Sequence, residues 1–247
     1  MRYFLCITYL CLALMQQGCK KDSMCNCLKS TGSDATETRT VAPFTKIELY
    51  NNVDLIIHTD TFYHLSVTAG SHLVDGVKTE VEDGILKLRN KNRCNWVRSF
   101  KNKFTVDVWI KTLDNITVYD ASGNIDFADT LKQNDFRIDS WSSSGDYHLK
   151  LNCSNATLAL HTGPADLYAQ GHVGVNSVYS ASYGKIDLLE MNCDDIYIAN
   201  KGTNDLYIKA NHRIGAEITY IGNIYYKGNP SQVDQRISGT GKLIHIN

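Results

Sequence analysis

From residue 41 onward, apolar residues recur at every second position in short runs. After Phe44 these are Ile47 and Leu49, then Val53, Leu55 and Ile57, then Leu65 and Val67. Successive side chains of a strand point to opposite faces, so this two-residue period predicts strands with one buried face. Glu82-Asp83-Gly84 is a turn signal, and Leu86 and Leu88 resume the alternation after it. Val106, Val108 and Ile110 continue the pattern, as do Ile116 and Val118. No amphipathic helical pattern of useful length follows residue 40, so the pattern predicts an all-β fold.

A longer period begins near Ser122. Ser122-Gly123-Asn124-Ile125-Asp126-Phe127 is echoed by Thr162-Gly163-Pro164-Ala165-Asp166-Leu167, Tyr183-Gly184-Lys185-Ile186-Asp187-Leu188, Lys201-Gly202-Thr203-Asn204-Asp205-Leu206 and Ile221-Gly222-Asn223-Ile224-Tyr225-Tyr226. With Gly145 and Gly239, seven glycines stand 22, 18, 21, 18, 20 and 17 residues apart. A unit of that size has too little apolar surface to fold alone, and stacking buries its inward face against the next unit. The expected architecture is a parallel β-helix-like solenoid of roughly 20-residue coils behind an N-terminal β cap region, with glycine accepting positive φ at each corner. Leu206 and Ile208 are assigned inward, Asp205 and Tyr207 outward.

The N-terminus follows a different rule. Met1-Arg2 is a positive start, Tyr3 to Met15 is apolar but too short to span a bilayer, and Gly18-Cys19 places a small residue before a cysteine. Residues 1–18 look like a bacterial lipoprotein signal, which makes Cys19 the lipidation site and the membrane a partner through that anchor. The location implied is the cell envelope, as an outer-membrane lipoprotein on either the periplasmic or the exposed side. Residues 19–40 carry Ser, Thr and Gly with almost no aliphatic content and are read as a flexible tether. Residues 41–247 then form a single β-solenoid domain.

Composition narrows the function. A formal net charge of −1 over 247 residues gives no electrostatic footprint for nucleic acid, which is excluded as a partner. Of eight cysteines, Cys25, Cys27, Cys94, Cys153 and Cys193 remain beyond the signal and Cys19. An odd number without regular spacing indicates no disulfide framework, and their pairing stays open. Fourteen tyrosines suit strands. Tyr168, Tyr179, Tyr197, Tyr207, Tyr220, Tyr225 and Tyr226 spread over successive coils, either as core, with Tyr220 and Tyr226 foremost by alternation, or as an outward surface for sugar rings or a protein.

Asp126, Asp166, Asp187 and Asp205 each lie three residues after a glycine and are expected to form one outward column. Stacked carboxylates either bridge a divalent cation such as Ca2+ or are screened by water and lysine, and screening is the preferred reading. No cofactor is otherwise expected. The eight histidines show no metal-binding spacing, and the turn at Ser143-Ser144-Gly145 lacks the context of a nucleophile elbow.

Together, Phe44-Thr45-Lys46-Ile47, Val53 to Ile57, the Glu82 to Leu88 step, the repeated Ser/Tyr-Gly-x-Ile-Asp and the closing Ile221 to Gly228 and Ile237 to Leu243 segments resemble the putative auto-transporter adhesin, head GIN domain family of Bacteroidetes. The resemblance covers roughly residues 41–246. It implies a β-helix-like fold on an exported protein and supplies no catalytic residues. The expected function is therefore that of a cell-envelope lipoprotein presenting a long β surface for non-catalytic binding of glycan or protein. The competing class is a polysaccharide-acting enzyme of β-helix type, with Arg137, Lys150 and the Asp column as its candidate groups.

Overall fold

The computed structural model describes residues 30–93 and 103–247. The signal segment 1–18, Cys19 and the first part of the tether, with Cys25, Cys27 and Cys94, lie outside them. In chain order the strands are β1 (Asp34–Thr40), β2 (Lys46–Tyr50), β3 (Asp54–Thr59), β4 (His64–Gly70), β5 (Val77–Glu82), β6 (Ile85–Asn90), β7 (Thr105–Ile110), β8 (Asn115–Tyr119), β9 (Ile125–Phe127), β10 (Leu131–Trp141), β11 (Asp146–Leu160), β12 (Asp166–Ser180), β13 (Ile186–Asn200), β14 (Leu206–Ile218), β15 (Ile224–Lys227), β16 (Gln232–Ile237) and β17 (Leu243–His245). Among the described residues there is no α-helix, only a 3-10 turn at Val74–Gly76.

The fold is an all-β parallel solenoid of about seven turns. From β8 onward each strand pairs in parallel with its counterpart in the next coil, as in Asp146↔Asp166 through Leu160↔Ser180. Two walls result. The first runs through β6, β2, β8 and the C-terminal halves of β10 to β14 to β16. The second runs through β7, β3, β9 and the N-terminal halves of β11 to β14 to β15 and β17. Antiparallel strands close the N-terminal end: β4 and β1 lie on β7, and β5 lies on β6. The β5–β6 hairpin turns on Asp83 and Gly84, both at positive φ, where the sequence signalled a turn.

The alternating residues fill the interior as the pattern requires. Leu55, Ile125, Tyr147, Leu167, Ile186, Leu206 and Ile224 are register partners across successive coils and all are 0% exposed. Leu206 and Ile208 are buried, while Asp205 and Tyr207 sit half-exposed on the outside.

Two expectations are corrected. Residues 34–40 are not tether: they form β1, antiparallel to β4 from Asp34↔Gly70 to Thr40↔His64. An edge strand is held by backbone bonds and polar anchors, here Arg39 donating to the Val77 carbonyl at 2.7 Å, so its sequence needs no apolar alternation. The second correction concerns the glycines. Of the seven, only Gly163 has positive φ. The others are required by close approach of stacked backbones: a Cβ on Gly184 would lie 1.7 Å from the Ala165 carbonyl oxygen.

These glycines also occupy two columns rather than one. Gly123, Gly145, Gly184 and Gly222 stack with Ala165 and Asn204, whereas Gly163, Gly202 and Gly239 stack two residues earlier in the coil, over Ser143, Ser182 and Tyr220. The structural repeat positions are therefore 123, 145, 165, 184, 204, 222 and 241. The irregular glycine spacing comes from switching columns.

Candidate binding face

The column switch decides the fate of the four aspartates. Asp126 and Asp187 lie in one outward column, with His148 and Tyr168 between them. Asp166 and Asp205 lie in the slot before it, where Lys185 occupies the intervening coil. The four therefore form no common ladder, and the carboxylate stacked next to Asp166 is Asp146 of the preceding coil. Each group has a local partner instead: Asp126 meets His148 Nδ1 at 3.0 Å and Asp187 takes the Lys185 ammonium at 2.7 Å. Asp166 accepts the Lys185 backbone N–H at 2.7 Å, and Asp205 accepts that of Asn223 at 2.8 Å.

The last two bonds belong to a series. Asn124 N–H donates to Asp54, Asp146 N–H to Asn124 and Lys242 N–H to Asn223, in each case from a coil to the side-chain oxygen of its neighbour. These Asp and Asn side chains fasten corner to corner. Among the described residues no group of three or more His, Cys, Asp or Glu side chains is placed to hold a metal ion.

The tyrosines divide between the walls. Tyr168, Tyr207 and Tyr225 share the outward column of the second wall, with Lys185 reaching over Tyr168 and Tyr207 at 5.5 and 4.9 Å, and Tyr207 stacked on Tyr225 at 5.1 Å. Tyr226 packs partly buried against the core, as expected, and stacks on His245. Tyr220 does not: it is 51% exposed, because the strand ends at Ile218 and Tyr220 lies in the corner beyond it.

The first wall carries a longer aromatic strip. Arg89 lies over Tyr50 at 4.3 Å, Tyr50 stacks on Tyr119 at 5.2 Å, and Tyr119 is the register partner of Trp141. Trp141 stacks on His161 with centroids 3.7 Å apart and planes 4° apart. His161 meets Tyr179 at 5.3 Å, and Lys201 covers Tyr179 at 5.8 Å. Adjacent strands are about 4.8 Å apart, so outward rings at one register position stack face to face without adjustment. Trp141 is 43% exposed.

Below Tyr179 the strip opens into a shallow hollow of about 430 Å³ lined by Tyr179, Tyr197, Gly215, Glu217, Asp234 and Arg236. The hollow exists because Gly215 has no side chain. The Tyr197 ring leans to within 2.9 Å of where its Cβ would stand.

Beneath Trp141 lies a charged brace. Asp139 is nearly buried, and burial pushes its carboxyl up, but hydrogen bonds from Arg137 and His161 outweigh this and hold it below its ordinary value. His161 Nε2 is 2.9 Å from Asp139 Oδ1, and Arg137 Nη2 donates to the same oxygen at 2.8 Å. An ionised carboxylate bound from both sides fixes the His161 ring, and through it the Trp141 ring, in one plane.

The groups weighed for hydrolytic chemistry are engaged elsewhere. Arg137 is spent on Asp139, and Lys150 donates to the Ala128 carbonyl at 2.8 Å. Ser143 is buried in a network with Ser140 and Tyr147, closed to substrate. Cys153 and Cys193 are buried and free, with Val173 in the coil between them. Burial pushes the Cys193 thiol to about 11.

Comparison with known proteins fits this geometry. The family model described as putative auto-transporter adhesin, head GIN domain, matches residues 43–230. A crystal structure of a putative adhesin from Bacteroides fragilis is similar with TM-score 0.77 at 22% identity, over 87% of this chain and 97% of that one. A putative adhesin from Parabacteroides distasonis gives TM-score 0.62 at 20% identity over 87% and 98%, and a putative lipid binding protein from the same organism 0.64 at 19% over 88% and 98%. At these identities the likeness shows the fold alone. No curated protein matches the sequence.

Proposed function

This chain belongs to the putative auto-transporter adhesin, head GIN domain family, and we propose that it is a non-catalytic binding protein of the bacterial cell envelope. In this reading an acylated Cys19 tethers it to the outer membrane and the first wall takes a glycan chain. The observation that carries the reading is the strip Tyr50, Tyr119, Trp141 and His161, four rings at one register position over successive coils, continued by Tyr179 two residues to the side and tilted 41°, with charged groups at both ends.

A pyranose ring presents a flat patch of C–H bonds that packs on an aromatic face, while its hydroxyls bond to charged side chains alongside. The strip offers that combination over several sugar lengths. It is about one ring wide, narrower than the contiguous apolar patch a stable protein interface needs, which favours glycan over protein.

Binding of the purified chain to a glycan array tests the reading. Wild type is expected to retain a set of oligosaccharides, and Trp141→Ala to lose them about tenfold or more while keeping its circular dichroism. Retention of no glycan by wild type, or equal retention by Trp141→Ala, removes the proposal. The tether is tested separately by Cys19→Ser, which should move the protein out of the membrane fraction, since one or two acyl chains supply the anchoring. Unchanged fractionation contradicts it.

A further inference from the structure

The last coil of the first wall ends in an open edge. β16 pairs in parallel with β14, from Arg213↔Gln232 to Ile218↔Ile237, and among the described residues no strand lies on its other side. All six of its residues are exposed. Two inward columns of the core run out into solvent here: Ile196 and Ile214 lead to Val233, and Ile218, stacked on the buried amide of Asn200, leads to Ile237. Val233 is 40% exposed and Ile237 42%.

An uncovered edge with apolar side chains is a template for another strand. The sequence of this edge, Val233-Asp234-Gln235-Arg236-Ile237, reads apolar, acidic, amide, basic, apolar in either direction when the charges are exchanged. We propose that β16 pairs antiparallel with β16 of a second copy, about a two-fold axis through Gln235, joining two solenoids end to end.

In that register Val233 faces Ile237 of the second copy on the core side, twice by symmetry. Asp234 faces Arg236 of the second copy on the outer side, also twice, and the two Gln235 amides meet at the axis. Opposite charges directly across a strand pair stabilise it and like charges oppose it. Moving the axis one residue either way sets Asp234 against Asp234 or Arg236 against Arg236, so the charges select one register. Arg213, which donates to Asp234 at 2.8 Å, holds that carboxylate in place on the outer face. The interface is isologous and closes at two copies, as a two-fold requires.

Sedimentation velocity of the full chain tests this. Wild type is expected to show a concentration-dependent dimer. Asp234→Arg and Arg236→Asp, each with native circular dichroism, should weaken it by at least about tenfold, because each sets like charges opposite one another. Mixing the two variants should restore a dimer, since every pair in the mixed species is again opposite in sign. The double exchange should restore it within one chain. Wild type that stays monomeric up to about 100 µM, and so has a dissociation constant well above that concentration, would overturn the proposal. So would single variants that dimerise like wild type, or a mixture that fails to recover.

Discussion

Leu206→Ala is expected to lower the free energy of unfolding by about 2–5 kcal/mol, the cost of removing a buried leucine and leaving part of its space empty. Leu206 is 0% exposed and sits between Ile186 and Ile224 in the inward column of seven fully buried residues. Neighbouring coils are pinned by backbone bonds at the strand spacing, so the walls cannot collapse into the gap, which places the effect in the upper part of that range. The measurement is the urea midpoint at unchanged slope. A shift no larger than that of a surface substitution would contradict the inward column. The neighbouring Asp205 is not the neutral control that its outward position suggests. It accepts both the backbone N–H and the side-chain amide of Asn223, at 2.8 and 3.0 Å, so Asp205→Ala is expected to cost about 0.5–1.5 kcal/mol and Asp205→Asn less.

Asn200→Leu is the second large effect. Asn200 is 0% exposed at a corner, its Oδ1 accepting the Gly202 N–H at 3.0 Å and its Nδ2 donating to the carbonyls of Asn204 and Asn223 at 3.1 and 3.2 Å. Leucine has the right volume and none of the bonds. It strands the buried Gly202 N–H, while the Asn223 carbonyl keeps the Leu206 N–H and Asn204 is exposed to water, and a buried group left unsatisfied costs about 1–3 kcal/mol. A loss of about 1–3 kcal/mol is expected in the same denaturant experiment, with Asn200→Ser recovering part of it. Serine is the residue that fills the same column one coil earlier, at Ser180. A neutral Asn200→Leu would mean that corner bonding contributes nothing to coil stacking.

Much of the fold was legible because one physical rule, alternation against a buried face, runs through the whole chain. Ile47, Leu55, Val106, Leu206 and the rest are buried as the two-residue period requires. The glycine period gave the coil, but it misaligned two coils of four at the aspartates. Glycine is needed wherever stacked backbones approach closely, and each corner has two such places, two residues apart. Aligning on glycine therefore turned two separate columns into one ladder of carboxylates. The residues missed by sequence reasoning, Trp141, His161 and Tyr119, share no local motif. They lie 20 and 22 residues apart, one coil each, so counting by the coil from Trp141 would have found them. The strand β1 left no signal, because its stability resides in backbone pairing.

The proposed binding surface is the first wall, where Arg137 and Asp139 hold the His161 and Trp141 rings in plane. Isothermal titration of an oligosaccharide selected on the array, against wild type, Trp141→Ala and Tyr168→Ala, is the direct test, since the second substitution removes a stacked ring from the other wall. At least about a tenfold loss of affinity is expected for Trp141→Ala, as for a central aromatic contact, and wild-type affinity for Tyr168→Ala. Loss confined to Tyr168→Ala, or shared equally by both, would contradict the proposed surface.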